Sequence, residues 1–528
     1  MKRMTASLTR RDFLYRAAAV GGSALLLKSM DAWGMGIASR VTQPPPLAGS
    51  GKGKTVIVLG AGLAGLSAAL ELVKLGYRVQ VLEARDFAGG RCQTARKGFT
   101  LQELGGEAQH CRFDQGHYIN HGPWRIPLDH QSTLYYAREF KVPLEVMVNE
   151  NDHAFVYLED GGPLSKQRLR GAQIKADMRG HVAELLAKSV RSRQLDAQLS
   201  TDDQALLLDY LVREGALAKG DLAYKGRSGR GFATNPGAGM HPGAGTPSDP
   251  LAFHDLLAAK VGKVYSAVQE FPMHATMFQP VGGMDRIPRA MAGRLGDRIR
   301  YRAEVQRIRQ DGAGVTLDVR DAASGRLSSV RGDYCLCTVP LSVLRMIDTD
   351  FSEPFKAAIK AVPYAPVGKI GLQMGRRFWE EDEQIYGGHV LTDLKGINTI
   401  SLPSSGWQQR KGVVLGYYNY ALDAIEVSAL TPAQRAEFAL AAGEKIFPAY
   451  RRSYESAFSV AWHRVQYSLG GWAEWNEAAR RSAYPVLLEG EGRVLLAGEH
   501  LSYLTGWQAG AIESAWQQVE QLHRRASA

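Results

Sequence analysis

Six residues near the start of the chain are built to meet a phosphate. Gly60-Ala61-Gly62-Leu63-Ala64-Gly65 follows a β-branched apolar run and opens a helical stretch. Gly60 permits a tight turn, and Gly62 leaves out a side chain where a pyrophosphate must approach the backbone. Gly65 lets the helix lie close to the strand. The helix start offers free N–H groups and partial positive charge. Glu83, at the end of the next strand-like run, can accept hydrogen bonds from ribose hydroxyls. Elsewhere Arg125, in Gly122-Pro123-Trp124-Arg125-Ile126-Pro127, could engage both oxygens of a carboxylate. Lys369 sits among apolar residues in Val367-Gly368-Lys369-Ile370, so burial could tune it. Trp507, after Gly506, could present a cation–π face. The four cysteines, Cys92, Cys111, Cys335 and Cys337, form no CxxC pair and have no adjoining His cluster, so no metal site is expected.

Those groups need a scaffold. Thr55–Leu59 reads as a buried parallel strand, 66–75 as a helix closed by Gly76, and Arg78–Leu82 as a second strand. The distance from the glycines to Glu83 completes a dinucleotide-binding βαβ unit. The chain has 528 residues, enough for two or three domains, and its 45% hydrophobic and 22% charged content is globular. The net charge is +11, but no basic run is interleaved with aromatics, so nucleic acid is not an expected partner.

The first forty residues carry seven Lys/Arg against Asp12 and Asp31. Thr9-Arg10-Arg11-Asp12-Phe13-Leu14 before the apolar stretch 17–27 resembles a twin-arginine export signal, with small residues near Ala38 and a Pro44-Pro45-Pro46 spacer. The expectation is export of the folded chain by the twin-arginine translocase to the periplasm or beyond. The apolar stretch is too short for a stable membrane anchor.

Beyond Glu83-Ala84-Arg85 the chain runs into Gly89-Gly90-Arg91, which resembles the extended fingerprint of the flavin amine oxidase superfamily. Val494-Leu495-Leu496-Ala497-Gly498-Glu499, followed by Gly506, Trp507 and a helix start through Ala511, resembles the segment that closes the flavin site there. Val305 matches the position whose backbone meets the adenine. The resemblance implies FAD. At Ser468-Leu469-Gly470-Gly471-Trp472-Ala473 the covalent-flavin Cys and the cage Tyr of monoamine oxidases are replaced by Trp472 and Ala473. That departure implies noncovalent FAD, argues against a two-walled aromatic cage, and leaves open which aromatic forms a second wall.

Within the superfamily the chain is most similar to L-amino-acid oxidases. The resemblance makes Arg125 the carboxylate anchor, with Gly122, Pro123 and Trp124 of the same stretch near the flavin. Tyr417 is the chosen second carboxylate ligand, with Tyr418 and Tyr420 nearby. It also makes Lys369 a lysine linked through water to flavin N5, and Trp507 a wall near the substrate amine. Gln279–Pro288 matches a GGMDxxP turn into a helix. The implied reaction is hydride transfer from the α-carbon to flavin N5. It gives a 2-oxo acid, ammonia and, with dioxygen, hydrogen peroxide. An amine oxidase or amino-acid monooxygenase on the same scaffold is the alternative, and a non-enzymatic exported binding protein is a second. Similar enzymes are commonly homodimers.

The expected fold is α/β. A discontinuous Rossmann-like FAD domain (52–130, 280–345, 455–528) accompanies a mixed-sheet substrate domain (131–170, 260–279, 346–454). Apolar spacing at Val182, Leu185, Leu186, Leu206, Leu207, Tyr210 and Leu211 predicts a helical subdomain over 171–259. Within it, 226–250 holds seven Gly and four Pro, a loop expected to border the substrate entrance.

Overall fold

The computed structural model describes residues 41–265 and 273–527. The expected export signal, residues 1–40, lies outside the described residues. None of the described helices is long and apolar enough to cross a membrane.

The fold is α/β. Its nucleotide half is a five-stranded parallel sheet in the order Ile299–Arg300, Arg78–Leu82, Thr55–Leu59, Tyr334–Cys337, Val494–Leu496. These strands come from four distant stretches of chain, as a discontinuous cofactor domain requires. Thr55–Leu59 is central and nearly all apolar because helices and a second sheet cover both its faces. One face packs on the helices Leu63–Lys74 and Gln508–Ser527 through Leu66, Leu70, Ile512 and Trp516. Cys335 and Cys337 are unpaired and fully buried on the other face, as alternation in a core strand dictates.

A seven-stranded sheet forms the second half, in the order Tyr454–Ala461, Val367–Met374, Gly412–Tyr420, Thr399–Leu402, Gly388–Thr392, Phe155–Tyr157, Arg168–Arg170. Two sequence boundaries shift. Strand Tyr454–Ala461, expected with the cofactor domain, pairs antiparallel with Val367–Met374 in this sheet. Helix Gln131–Glu139, expected with the substrate domain, buries Leu134, Tyr136 and Ala137 in the nucleotide core.

Helices Gly171–Arg191 and Thr201–Glu214 form the expected helical region, but its buried face is displaced. Val182, Leu185, Leu206 and Tyr210 are exposed, while Ala183, Ala187 and Leu211 face inward with Leu217, Leu222 and Tyr224. Small side chains win the interface because the Tyr224 ring lies where a Gly180 Cβ would stand, 2.3 Å from it. The Gly/Pro-rich stretch carries a short hairpin, Phe232–Thr234 with Thr246–Pro247, and no residue of 226–250 lines the main cavity. At its base, buried Arg230 donates to both carboxylate oxygens of buried Asp177, at 2.8 and 2.9 Å.

Candidate active site

One cavity of about 960 Å³, its open mouth included, runs between the two sheets. Its nucleotide end is shaped by glycine. The turn after the first strand is held by Gly60 N–H donating to Leu82 O at 2.8 Å, with φ +94° at Gly60. A Cβ on Gly65 would stand 1.9 Å from Gly60 O, so helix and turn pack backbone to backbone. Gly62 differs: a Cβ there would meet only Gly90 Cα, at 3.8 Å. Gly62, Leu63 and Ala64 line the cavity, and no side chain caps the helix at Gly62. Uncapped N–H groups beside a space that glycine keeps clear fit a pyrophosphate.

Acid and base groups close this end. Glu83 is buried and accepts the backbone N–H groups of Ala61 (2.7 Å) and Arg85 (2.9 Å). Glu83 N–H donates to Arg300 O, and Ala303 N–H to Glu83 O. This ties the acid to the strand that carries Val305, whose side chain packs on the neighbouring core. Arg85 donates to Gln466 O and Ser468 Oγ. Arg91 pairs with Glu499 at 2.8 Å and donates to Gly471 O. Glu499 also accepts the N–H groups of Ala473 and Gly506. One carboxylate thus gathers three distant segments around the cavity. Gly60, Gly65, Glu83, Ala84 and Val305 lie behind its lining, whereas Arg85, Gly90, Arg91, Gly498, Glu499 and Ala511 line it.

The opposite end is made of side chains. Lys369 is 1% exposed. Its ammonium donates to Gly122 O and stands 4.0 Å from the centre of the Tyr418 ring and 5.7 Å from that of Trp124. Burial, and then the neighbouring Arg125 charge, push the Lys369 pKa well below its ordinary 10.5. Arg125 stands just outside the lining, its Nη2 3.0 Å from Met273 Sδ, and its charge is felt by Tyr418, Tyr420 and His389. Tyr418 and Tyr420 have ring centres 4.6 Å apart, and Tyr420 meets Trp472 at 5.6 Å. Gly506, at φ +80°, brings its backbone against the Trp472 ring, where a Cβ would be 3.3 Å away. Trp472, Trp462 and Trp507 all line the cavity.

Tyr417, the tyrosine chosen from sequence, is corrected by strand alternation. Its ring is fully buried in the core on the far face of the sheet, beside Phe438, and does not reach the cavity. Successive residues of a strand face opposite sides. Lys369 is the register partner of Tyr418, so Tyr418 shares its face. Trp472 was noticed only for what it replaces, yet it supplies a second tryptophan beside Trp507, while Ala473 is sealed in the core. Trp462 carried no sequence signal: it reaches the site because a strand turn ends there, and its indole N–H donates to His121 O at 2.7 Å.

A Rossmann-type sheet, a glycine-cleared phosphate cradle and a lysine–aromatic chamber in one cavity define a flavoprotein oxidoreductase. The chain matches the flavin containing amine oxidoreductase family over residues 63–523 and belongs to it. FAD is its cofactor, and its substrate is a small molecule. The protein provisionally named L-amino-acid oxidase YobN of Bacillus subtilis is 28% identical, over 89% of this chain and 95% of its own. The L-amino-acid oxidase of Gloydius blomhoffii is 26% identical, over 89% of each chain. Among solved structures, cyclohexylamine oxidase of Brevibacterium oxydans aligns with TM-score 0.60 at 16% identity, covering 90% of this chain and 100% of that one. Putrescine oxidase bound to putrescine aligns with TM-score 0.59 at 17% identity, covering 89% and 99%.

Proposed function

We propose that the chain oxidises an L-amino acid to the 2-oxo acid and ammonia, reducing dioxygen to hydrogen peroxide. The observation that carries this reading is the electrostatics of the chamber. Lys369 lines the cavity and feels the charge of Arg125 just outside it, and burial drives Lys369 towards its neutral form. The guanidinium, which keeps its proton, is then the lasting positive charge beside the aromatic walls. A substrate carboxylate would complement that charge, and the Tyr418 hydroxyl, whose residue lines the cavity, could help hold it.

Bound FAD supplies the two-electron acceptor. This chain's residues supply orientation and exclude water. Arg125 and Tyr418 fix the carboxylate. Trp472 and Trp507 flank the reacting carbon and its amine, and the amine's lone pair assists departure of the α-hydrogen. Neutral Lys369 can hold or pass a proton at Nζ. With Trp at position 472 the flavin is held without a covalent bond there. The N-terminal leader belongs to the same proposal, as an address for export of the loaded enzyme.

The test is a peroxide assay across the L-amino acids and their decarboxylated amines, on the wild type and Arg125→Ala. Losing a charge-assisted pair of hydrogen bonds costs about 2–4 kcal/mol, roughly 30- to 1,000-fold in kcat/KM. The expected loss falls on amino acids and spares amines. Preference of the wild type for amines, with Arg125→Ala inert, would make the protein an amine oxidase like its structural neighbours.

A further inference from the structure

We propose that His130 is a positioning residue for the reaction: its imidazole stands edge to face with Trp507 and fixes the plane of that indole at the cavity wall. The two ring centres are 4.8 Å apart and their planes cross at 88°. This is the arrangement that ring quadrupoles favour. His130 is 1% exposed, and its Nε2 has no hydrogen-bond partner among the described residues. A buried polar ring atom without an oxygen or nitrogen partner calls for an explanation. The aromatic contact gives the ring its purpose.

The backbone around His130 is independently locked. Its carbonyl accepts the N–H groups of Thr133 and Leu134 as helix Gln131–Glu139 begins, and its side chain makes no capping bond. Removing the imidazole therefore leaves the helix start intact. Trp507 is less secure by itself. It follows Gly506 at φ +80°, at the end of a turn that begins the last helix, and is only partly buried. Without His130, the indole loses the neighbour that stands perpendicular to it and gains freedom to tilt into the cavity.

This inference rests on the reading that Trp507 faces the substrate, and the experiment separates the two. In FAD-loaded protein labelled with 5-fluorotryptophan, the Trp507 resonance is assigned by its loss in Trp507→Phe. In His130→Ala that line should shift or split while the other tryptophan lines stay, and His130→Phe, which restores a ring, should return it to one position. A Trp507 line unmoved in His130→Ala overturns the proposal without reference to activity. In the peroxide assay, with the best amino acid from the wild-type panel, His130→Ala should lower kcat/KM on the order of three- to tenfold. It should add nothing in a Trp507→Ala background. Additive losses overturn the proposal while leaving Trp507's role intact. An inert Trp507→Ala overturns the substrate-facing role of Trp507 and with it the function assigned to His130.

Discussion

The two ends of the cavity are built from opposite materials. At the nucleotide end the shape comes from side chains that are missing: Gly62 clears a space, and Gly65 and Gly60 meet backbone to backbone. At the substrate end it comes from large side chains that are present: Lys369, Tyr418, Trp472 and Trp507. The first end tolerates no added atom at Gly65, whereas at Gly62 an added atom would enter the space kept for the ligand. The second tolerates substitution in volume but depends on which way each residue points. A phosphate cradle made of backbone is the same for any flavin substrate, whereas an aromatic and cationic chamber is where selectivity is set.

Alanine substitutions at two glycines break this comparison most sharply. In Gly65→Ala the new Cβ would stand 1.9 Å from Gly60 O, a backbone atom with nowhere to move. The cost should exceed the ~1–3 kcal/mol of ordinary overpacking, and no soluble flavoprotein should be recovered. In Gly62→Ala, φ of −75° suits an L-residue and the added methyl projects towards the cavity. The apoprotein should unfold within ~0.5 kcal/mol of wild type yet bind little FAD. Chemical unfolding of apoprotein and the flavin-to-protein absorbance ratio read the two effects separately. A Gly62→Ala protein with full flavin content would show that the cradle is not where phosphate sits.

Lys369 brings a pH dependence to the other end. The unfolded chain carries a proton on this lysine up to its ordinary 10.5, while in the fold burial, reinforced by Arg125, favours the neutral amine. Unfolding therefore takes up a proton between the lowered folded pKa and 10.5, so stability rises with pH through that window and levels off above it. Lys369→Met removes the titrating group and keeps the apolar stem. Its unfolding free energy should vary less with pH below 10.5 than that of the wild type, and be higher on the acid side of the window. The same slope in both proteins would mean that Lys369 stays charged in the fold, through a partner supplied by the cofactor or solvent.

How far the sequence could be read follows the same division. The cradle was legible because its rules are local: a strand, glycines at fixed intervals, a helix, and Glu83 at a set distance, all within Thr55–Glu83. The closing acid, Glu499, was legible only through the resemblance to a family. The substrate end draws Arg125, Lys369, Tyr418, Trp472 and Trp507 from separate stretches; only the resemblance to a family brought Arg125, Lys369 and Trp507 together, and it named neither Tyr418 nor Trp472 as part of the site. Where that resemblance fell on Tyr417-Tyr418, a one-residue difference decided between opposite faces of a sheet. The helical region shows the same weakness: the spacing announced two helices, but Ala183 and Ala187 rather than Val182 and Leu185 face the partner, because close packing selected the smaller side chains.

The smallest effect tests that one-residue difference directly. Tyr418 and Tyr417 are neighbours on strand Gly412–Tyr420, so removing either hydroxyl perturbs the same backbone. Their surroundings differ. The Tyr418 ring lines the cavity under the Lys369 amine, within the field of the Arg125 charge. The Tyr417 ring is sealed in the opposite core, where burial first, and the Glu103 charge against the opposing pull of Arg435, hold its phenol far above the ordinary range and therefore neutral. A hydroxyl that binds a carboxylate contributes about 1.5–3 kcal/mol, and one that merely packs contributes to stability rather than turnover. Tyr418→Phe should raise KM for amino acids roughly tenfold or more with thermal stability nearly unchanged. Tyr417→Phe should leave KM alone. Steady-state kinetics and a melting curve on the two variants decide the matter: a KM effect in Tyr417→Phe, absent in Tyr418→Phe, would require strand Gly412–Tyr420 to be shifted by one residue against Val367–Met374, pairing Tyr417 with Lys369 in place of Tyr418.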